Sequence, residues 1–414
     1  MDSKANAVVA AARLESYAPF DAVLAALREA MAHLGGMSAF VKPGQRVLLK
    51  VNLVAPSASD LAVTTHPSIV RAAIRLVREA GGIPRVGDGP GVGDTVTAAR
   101  VSGIAAVVEE EGAELVTFQE TALYDNPENT ILKRLPLTAA LLDTDVLITL
   151  PKLKTHCQMA FTGALKNQYG LIPGSAKGQY HFRFQNRDRL ADLMIDINRT
   201  AHPALAIMDA VMAMEGPGPS GGTPRYMGVL LCGADLAAVD AVACAAIHLP
   251  LVEVPVQQAA VRAGYGVSDL TKIQLLGLPL EEFSVPDFKL VKAPLNIMRI
   301  LPLPRFVLRW IRSQLAPRPQ INPQKCIKCR RCERGCPVKP AAIEPMAEGG
   351  PRVNDRTCIR CYCCHEFCPV KAIDLKKGML ARLLNLEAWA DRGSRLLGRV
   401  AAVFRKGRQR DAKP

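Results

Sequence analysis

The chain has no uninterrupted apolar run of about 18 residues, the length a membrane-spanning helix needs. Its best candidate, Leu236 to Val256, is broken by Asp240, His248, Pro250 and Glu253, so no span is expected. The opening MDSKANAVVAAARLES lacks the basic and apolar regions of a secretory signal. A reducing, cytoplasmic compartment follows as the expectation. Aromatic residues make up only 5% of the chain, leaving few rings for stacking on bases. No nucleic-acid motif accompanies the charge either, so nucleic acid is not expected as a partner. The glycine-rich VGDGPGVGDT fits neither G-x-G-x-x-G nor the P-loop, and neither a dinucleotide nor ATP is implied.

What is present is distributed unevenly. Of 12 cysteines, nine lie between Cys326 and Cys368, a density that argues for a metal or cluster site rather than a disulfide scaffold. Residues 1–288 carry 24 basic and 29 acidic side chains, whereas 289–414 carry 28 and 9. The whole net charge of +14 therefore belongs to the C-terminal third, and a basic block of this kind faces something acidic.

Residues 1–288 alternate short apolar runs (RVLLKVNLV, IPRVGD, AELVTF, DVLITL, ALAIMD, YMGVLLCG) with helical stretches. This predicts an α/β domain with a largely parallel sheet covered by helices and with binding residues in loops at the strands' carboxyl ends. Residues 289–320 are basic, acid-free and punctuated by proline, which marks a connector. A small α+β cysteine module is expected over 321–375. In the tail, 376–414, Leu396, Leu397, Val400, Val403 and Phe404 fall at helical spacing among Arg395, Arg399, Arg405 and Lys406, the pattern of a basic amphipathic helix. Such a tail suits peripheral membrane contact, worth about 1 kcal/mol per basic residue at an anionic leaflet. Packing on the protein itself explains it equally well, both for the tail and for Arg305, Arg309 and Arg312 of the connector.

Cys326, Cys329, Cys332 and Cys336-Pro337 have the spacing C-x2-C-x2-C-x3-C-P, and Cys358, Cys361, Cys364 and Cys368-Pro369 repeat it. The two runs resemble a bacterial-type ferredoxin domain holding two 4Fe-4S clusters, in which the fourth cysteine of each run ligates the other cluster. That resemblance implies one cluster on Cys326, Cys329, Cys332 and Cys368 and a second on Cys336, Cys358, Cys361 and Cys364. Cys363 is left over, as a thiol packed at a cluster edge. A pair of zinc sites is the plain alternative, but zinc modules seldom repeat a third cysteine at the same interval in both halves.

In the large domain, VLITLPKLKTH reads as a buried strand ending at Pro151, with Lys152, Lys154 and His156 in the loop beyond it. Lys50 and Asn52 follow another strand, Asp88 sits in the glycine-rich loop, and Lys166 and Asn167 precede GLIPG. One cleft gathering these residues is the expectation. Lys152, Lys154, His156 and Asp209 are the catalytic candidates, with His156 or Asp209 moving protons. Lys50, Asn52, Asp88, Lys166 and Asn167 are the candidates for holding a carboxylate or phosphate. His66, His181, Glu215 and Cys157 are weaker candidates: Thr65 or Ser68 reads as a helix cap, Glu215 as a loop brace, and Cys157, like Cys232 and Cys244, as core.

The segments LLKVNLV, TTHPSIV, EAGG with VGDGPG, LPKLKTH with FTGALKNQYGLIPG, MDAVMAMEGPGPSGG and ADLAAVDAVA resemble the domain of unknown function 362 family over roughly residues 6–280. The resemblance implies this architecture, with a ferredoxin-like module behind it, and no particular reaction. Gly89 departs from the Gly-Asp-Ser-Pro sequence expected there. The reading is an iron-sulfur redox protein that passes electrons to or from a small anionic substrate or a redox partner protein. A carrier or assembly subunit docking on a complex or membrane is the alternative.

Overall fold

The computed structural model describes residues 7–174, 176–291, 316–345 and 350–376. Most of the connector and all but the first residue of the tail, including the proposed amphipathic helix, lie outside the described residues. Among those described, no helix is long and apolar enough to cross a membrane.

A ten-stranded sheet organises the large domain. Its main path runs Ile273–Gly277, Ala7–Arg13, Thr223–Gly233, Leu205–Glu215, Val146–Thr149, Arg46–Lys50, Ile83–Asp88 and Glu114–Thr117. Every pairing on this path is parallel except the two made by Thr223–Gly233. The period-two alternation of strands sorts the core into two layers: Leu48 packs in one, and Val47 and Leu49 in the other. Helices Arg187–Ala201, Leu236–Ala246 and Pro255–Ala263 cover the first face; Phe20–Ala32 and Pro67–Glu79 cover the second.

Helix Pro67–Glu79 shows the local logic. Pro67 occupies its first turn, where a missing N–H costs nothing, and Ile69, Val70, Ala73, Ile74 and Val77 form the buried face. Its cap is neither Thr65 nor Ser68 but His66, whose Nδ1 accepts from the Ser68 amide at 3.2 Å. The Thr65 hydroxyl instead donates to the Leu150 carbonyl at 2.6 Å.

The main departure from the sequence reading is at Pro151. The segment beyond it is not a loop: Lys152–His156 is a second, wholly buried strand, parallel to Leu205–Glu215 and antiparallel to Ala160–Thr162. Proline interrupts the ladder because it has no N–H to give. Its carbonyl still accepts from the Asp209 amide at 2.9 Å, so the chain resumes pairing on the same neighbour.

The cysteine module is bounded by two short antiparallel pairs, Arg318–Ile321 with Ile373–Lys376 and Ile343–Glu344 with Arg352–Val353. It docks on the large domain through its second run: the Ser220 hydroxyl donates to the Glu366 carbonyl at 3.0 Å, and His365 Nε2 lies 3.0 Å from the Pro217 carbonyl.

Candidate functional site

The two cysteine runs fold alike. Lys328 and Arg330 of the first take φ of 55° and 59°, and Arg360 and Tyr362, at the same places in the second, take 58° and 62°. Left-handed backbone on a residue with a side chain costs about 1–3 kcal/mol, and a short helix, Arg331–Arg334 or Cys363–Glu366, follows each pair. The repetition means that both loops are wound to aim their thiols the same way.

None of the 12 cysteines is in a disulfide. Cys326, Cys329, Cys332 and Cys368 line one cavity of about 280 Å³, and Cys336, Cys358, Cys361 and Cys364 line another. The amide of Ala342 donates to Cys336 Sγ at 3.4 Å and that of Ala372 to Cys368 Sγ at 3.1 Å, the kind of contact that stabilises a thiolate. Among the described residues no three His, Cys, Asp or Glu side chains are gathered tightly enough for a single ion. The two all-thiol donor sets, each drawing on both runs, fit iron-sulfur clusters in their chemistry.

A third cavity, about 580 Å³, lies between the modules. The large domain contributes Lys50, Asn52, Asp88, His156, Lys166 and Asn167; the cysteine module contributes Cys336, Cys363 and Glu366. Strand ends supply its floor: Lys50 Nζ donates to Asp88 Oδ1 at 2.6 Å, to the Val51 carbonyl at 2.8 Å and to Asn167 Oδ1 at 3.1 Å. Asn52 Nδ2 also donates to Asn167 Oδ1, at 3.0 Å. Only glycine serves at 170, since a Cβ there would lie 2.2 Å from Asp88 Oδ1. Lys154 reaches the same network from its strand, donating to Asn52 Oδ1 at 2.5 Å and the Val63 carbonyl at 2.6 Å. Burial, and then the charge of Lys166, push the Lys154 ammonium well below the usual lysine range.

His156 Nδ1 accepts the amides of Gln158 and Met159 at 3.1 and 3.2 Å, which assigns the ring proton to Nε2. That nitrogen lies 3.4 Å from Glu366 Oε1. Burial, followed by nearby cations led by Lys166, holds the imidazole neutral, well below its ordinary pKa. Lys166 is different, because its ammonium makes no hydrogen bond or ion pair with the described residues. Buried and without a hydrogen-bond partner beside it are Thr162 Oγ1, His181 Nδ1 and Glu366 Oε1, and all three residues line this cavity. Burial lowers the Lys166 pKa and the charge of Glu366 works against that shift; a half-buried lysine beside three unsatisfied buried polar atoms makes this a candidate ligand site.

Lys177 was not anticipated. Its ammonium donates to the carbonyls of Gly89 and, at 3.4 Å, Pro90. A Cβ on Gly89 would lie 2.6 Å from the Gly170 carbonyl and 3.0 Å from Lys177 Nζ, so this lysine takes the space a serine side chain would need. Burial lowers the Lys177 pKa to about 8. The unfolded chain therefore holds this proton up to its ordinary value of 10.5, and the fold gains stability as pH rises through that window. An anion bound in this cavity would favour the protonated lysine, so affinity for sulfate, whose charge is constant over this range, should by calorimetry hold steady below pH about 8 and weaken above it. The loss is at most roughly tenfold per pH unit for one coupled proton. Lys177→Arg should abolish the fall.

Two catalytic candidates are placed elsewhere. Lys152 and Asp209, both fully buried, form an ion pair at 2.9 Å away from the cavity lining. Tyr17 donates to Asp209 Oδ1 at 2.7 Å and stacks on His66 at 3.5 Å between ring centres. The expected single cleft is thus two separate clusters. Glu215 accepts from the Lys289 amide at 3.0 Å, bracing a loop. Cys157 is buried and its thiol is pushed up to about 12, while Cys232 and Cys244 are core. Thr162, Lys177 and Glu366 escaped the sequence reading. Only Glu366 had a signal, its position between two cluster cysteines.

Residues 47–245 match the family model described as a domain of unknown function (DUF362), and residues 318–369 match that of a 4Fe-4S dicluster domain. A thylakoid-associated protein of Synechocystis sp., sll1697, is 32% identical over 300 residues, covering 71% of this chain and 92% of the relative. The lactate racemase apoprotein of Thermoanaerobacterium thermosaccharolyticum aligns at 15% identity over 58% of each chain, with a TM-score of 0.37; at that score it carries no argument.

Proposed function

The chain belongs to the domain of unknown function 362 family and carries a ferredoxin-type 4Fe-4S domain, and from that premise we propose an iron-sulfur oxidoreductase that exchanges electrons with a small anionic molecule held between its two modules. Cys326, Cys329, Cys332 and Cys368 would hold one 4Fe-4S cluster, and Cys336, Cys358, Cys361 and Cys364 a second. Each cluster, once bound, supplies a one-electron couple. Cys363 lines the ligand cavity rather than joining either set.

The observation that carries the proposal is the cavity shared by both modules. Lys166 offers its ammonium group to a carboxylate or phosphate, Thr162 and His181 offer hydrogen bonds, and His156 presents an Nε2–H toward the same space. Glu366 adds a carboxylate from the cysteine side. A ligand bound there would share a wall with Cys336 and Cys363, and the water it displaced would strengthen the charge interactions inside.

The test is anaerobic reduction of the full chain, followed by mixing with fractions of a small-molecule cell extract while cluster absorbance and EPR signals are recorded. An anionic fraction should reoxidise the wild type. Lys166→Ala should keep its iron yet need roughly ten to a hundred times more of that fraction, since a charge-assisted bond contributes about 1.5–3 kcal/mol. Identical behaviour of the two proteins with every fraction would place the acceptor outside this cavity.

A second reading, a carrier that serves only a partner complex or membrane surface, rests on the basic connector and tail and on the printed name of the thylakoid-associated relative. It makes no use of the cavity, and reoxidation by proteins alone would favour it.

A further inference from the structure

The two cysteine runs are near copies in backbone but not in surroundings. In the second, Cys363 and His365 are buried against the large domain, with a Cβ on Gly221 only 2.8 Å from His365 Nε2. The equivalent places in the first run hold Arg331 and Glu333. Arg360 of the second run is 6% exposed, whereas its counterpart Lys328 is exposed. The second cluster loop is thus packed against the large domain, whereas in the first Lys325 to Arg331 face solvent and only its end, Arg334 to Pro337, turns to the shared cavity.

That free face has a definite chemistry. From Asn322 to Glu333 it carries Lys325, Lys328, Arg330 and Arg331 against one acid, Glu333, and Glu333 is tied to Arg330 at 2.8 Å. At its centre Ile327 is 61% exposed and Val370 38%, both lining the cavity of Cys326, Cys329, Cys332 and Cys368. An apolar centre ringed by one sign of charge is the anatomy of a transient protein interface, in which the rim steers encounter and the centre makes contact.

We propose that this face docks a small acidic one-electron carrier protein, leaving the opposite side of the module, with Cys336, Cys363 and Glu366, to face the ligand cavity. The partner's acidity follows from the rim, and its redox character from the surface cysteine set at the centre of the contact. The proposal rests on the iron-sulfur reading above, which iron and sulfide analysis of the same sample checks separately.

The experiment measures binding, not turnover. The full chain with its clusters reconstituted is titrated with a plant-type ferredoxin, an acidic one-electron carrier, by calorimetry at about 50 and 250 mM salt. Binding should weaken by roughly tenfold or more across that range. K325E/K328E/R331E should weaken it by a similar factor at low salt, while K272E, on the far domain, should not change it. Should the triple variant lose its iron, the salt dependence of the wild type decides alone. No binding, or binding indifferent to salt, overturns the proposal. So does tighter, triple-variant-sensitive binding to phosphatidylglycerol–phosphatidylcholine vesicles, which would make a lipid surface the occupant.

Discussion

Cys368→Ala is expected to strip the chain of about half its iron, and the cluster lost should be the one held by the first cysteine run, although Cys368 belongs to the second. Cys368 shares a cavity with Cys326, Cys329 and Cys332, and Cys368 and Cys326 both act electrostatically on the Cys332 thiol. On Cys358, in contrast, Cys361 and Cys336 do so. Crossed ligation of this kind would tie the halves together, so that each run would depend on the other for its fourth thiolate. Cys336→Ala should remove the complementary half, and Cys363→Ala should leave iron untouched. Iron and sulfide analysis, with EPR of the reduced variants, separates the cases. Loss of iron from the Cys363 variant, or equal losses with identical residual spectra from the other two, would mean that the ligand sets are wrongly divided.

The module was legible in sequence because cluster chemistry fixes local spacing, and spacing is written along the chain. The parallel sheet was legible for a similar reason: Val47, Leu48 and Leu49 announce a strand buried on both faces. Long-range placement was not. Nothing near Glu366 shows that it will face His156, because that contact depends on two modules docking through side chains far apart in sequence. Nor does LPKLKTH show that pairing resumes after its proline. A lysine at a strand end and a lysine buried inside a strand are written with the same letter, and only the neighbour that neutralises it tells them apart.

Lys152 makes that distinction measurable. Its ammonium is fully buried beside Asp209, and it also donates to the Tyr17 hydroxyl at 2.8 Å. Burial lowers its pKa, and the Asp209 charge works against that shift. Removing one partner of a buried pair leaves the other charge uncompensated and costs about 3–5 kcal/mol, more than the pair itself contributes. Lys152→Met should therefore lower the urea midpoint by that equivalent. Asp209 keeps hydrogen bonds from Tyr17 and from the His66 amide, at 2.7 and 2.9 Å, so the lower end of the range is expected. Adding Asp209→Asn should restore much of the loss, because the double variant buries no net charge; the coupling from such a cycle runs about 0.5–3 kcal/mol. A catalytic lysine behaves in the opposite way: its loss leaves the midpoint alone and removes turnover, and no change at Asp209 repairs it. An unchanged midpoint in Lys152→Met would return this pair to the list of catalytic candidates and move the reacting centre away from the cavity at Lys166.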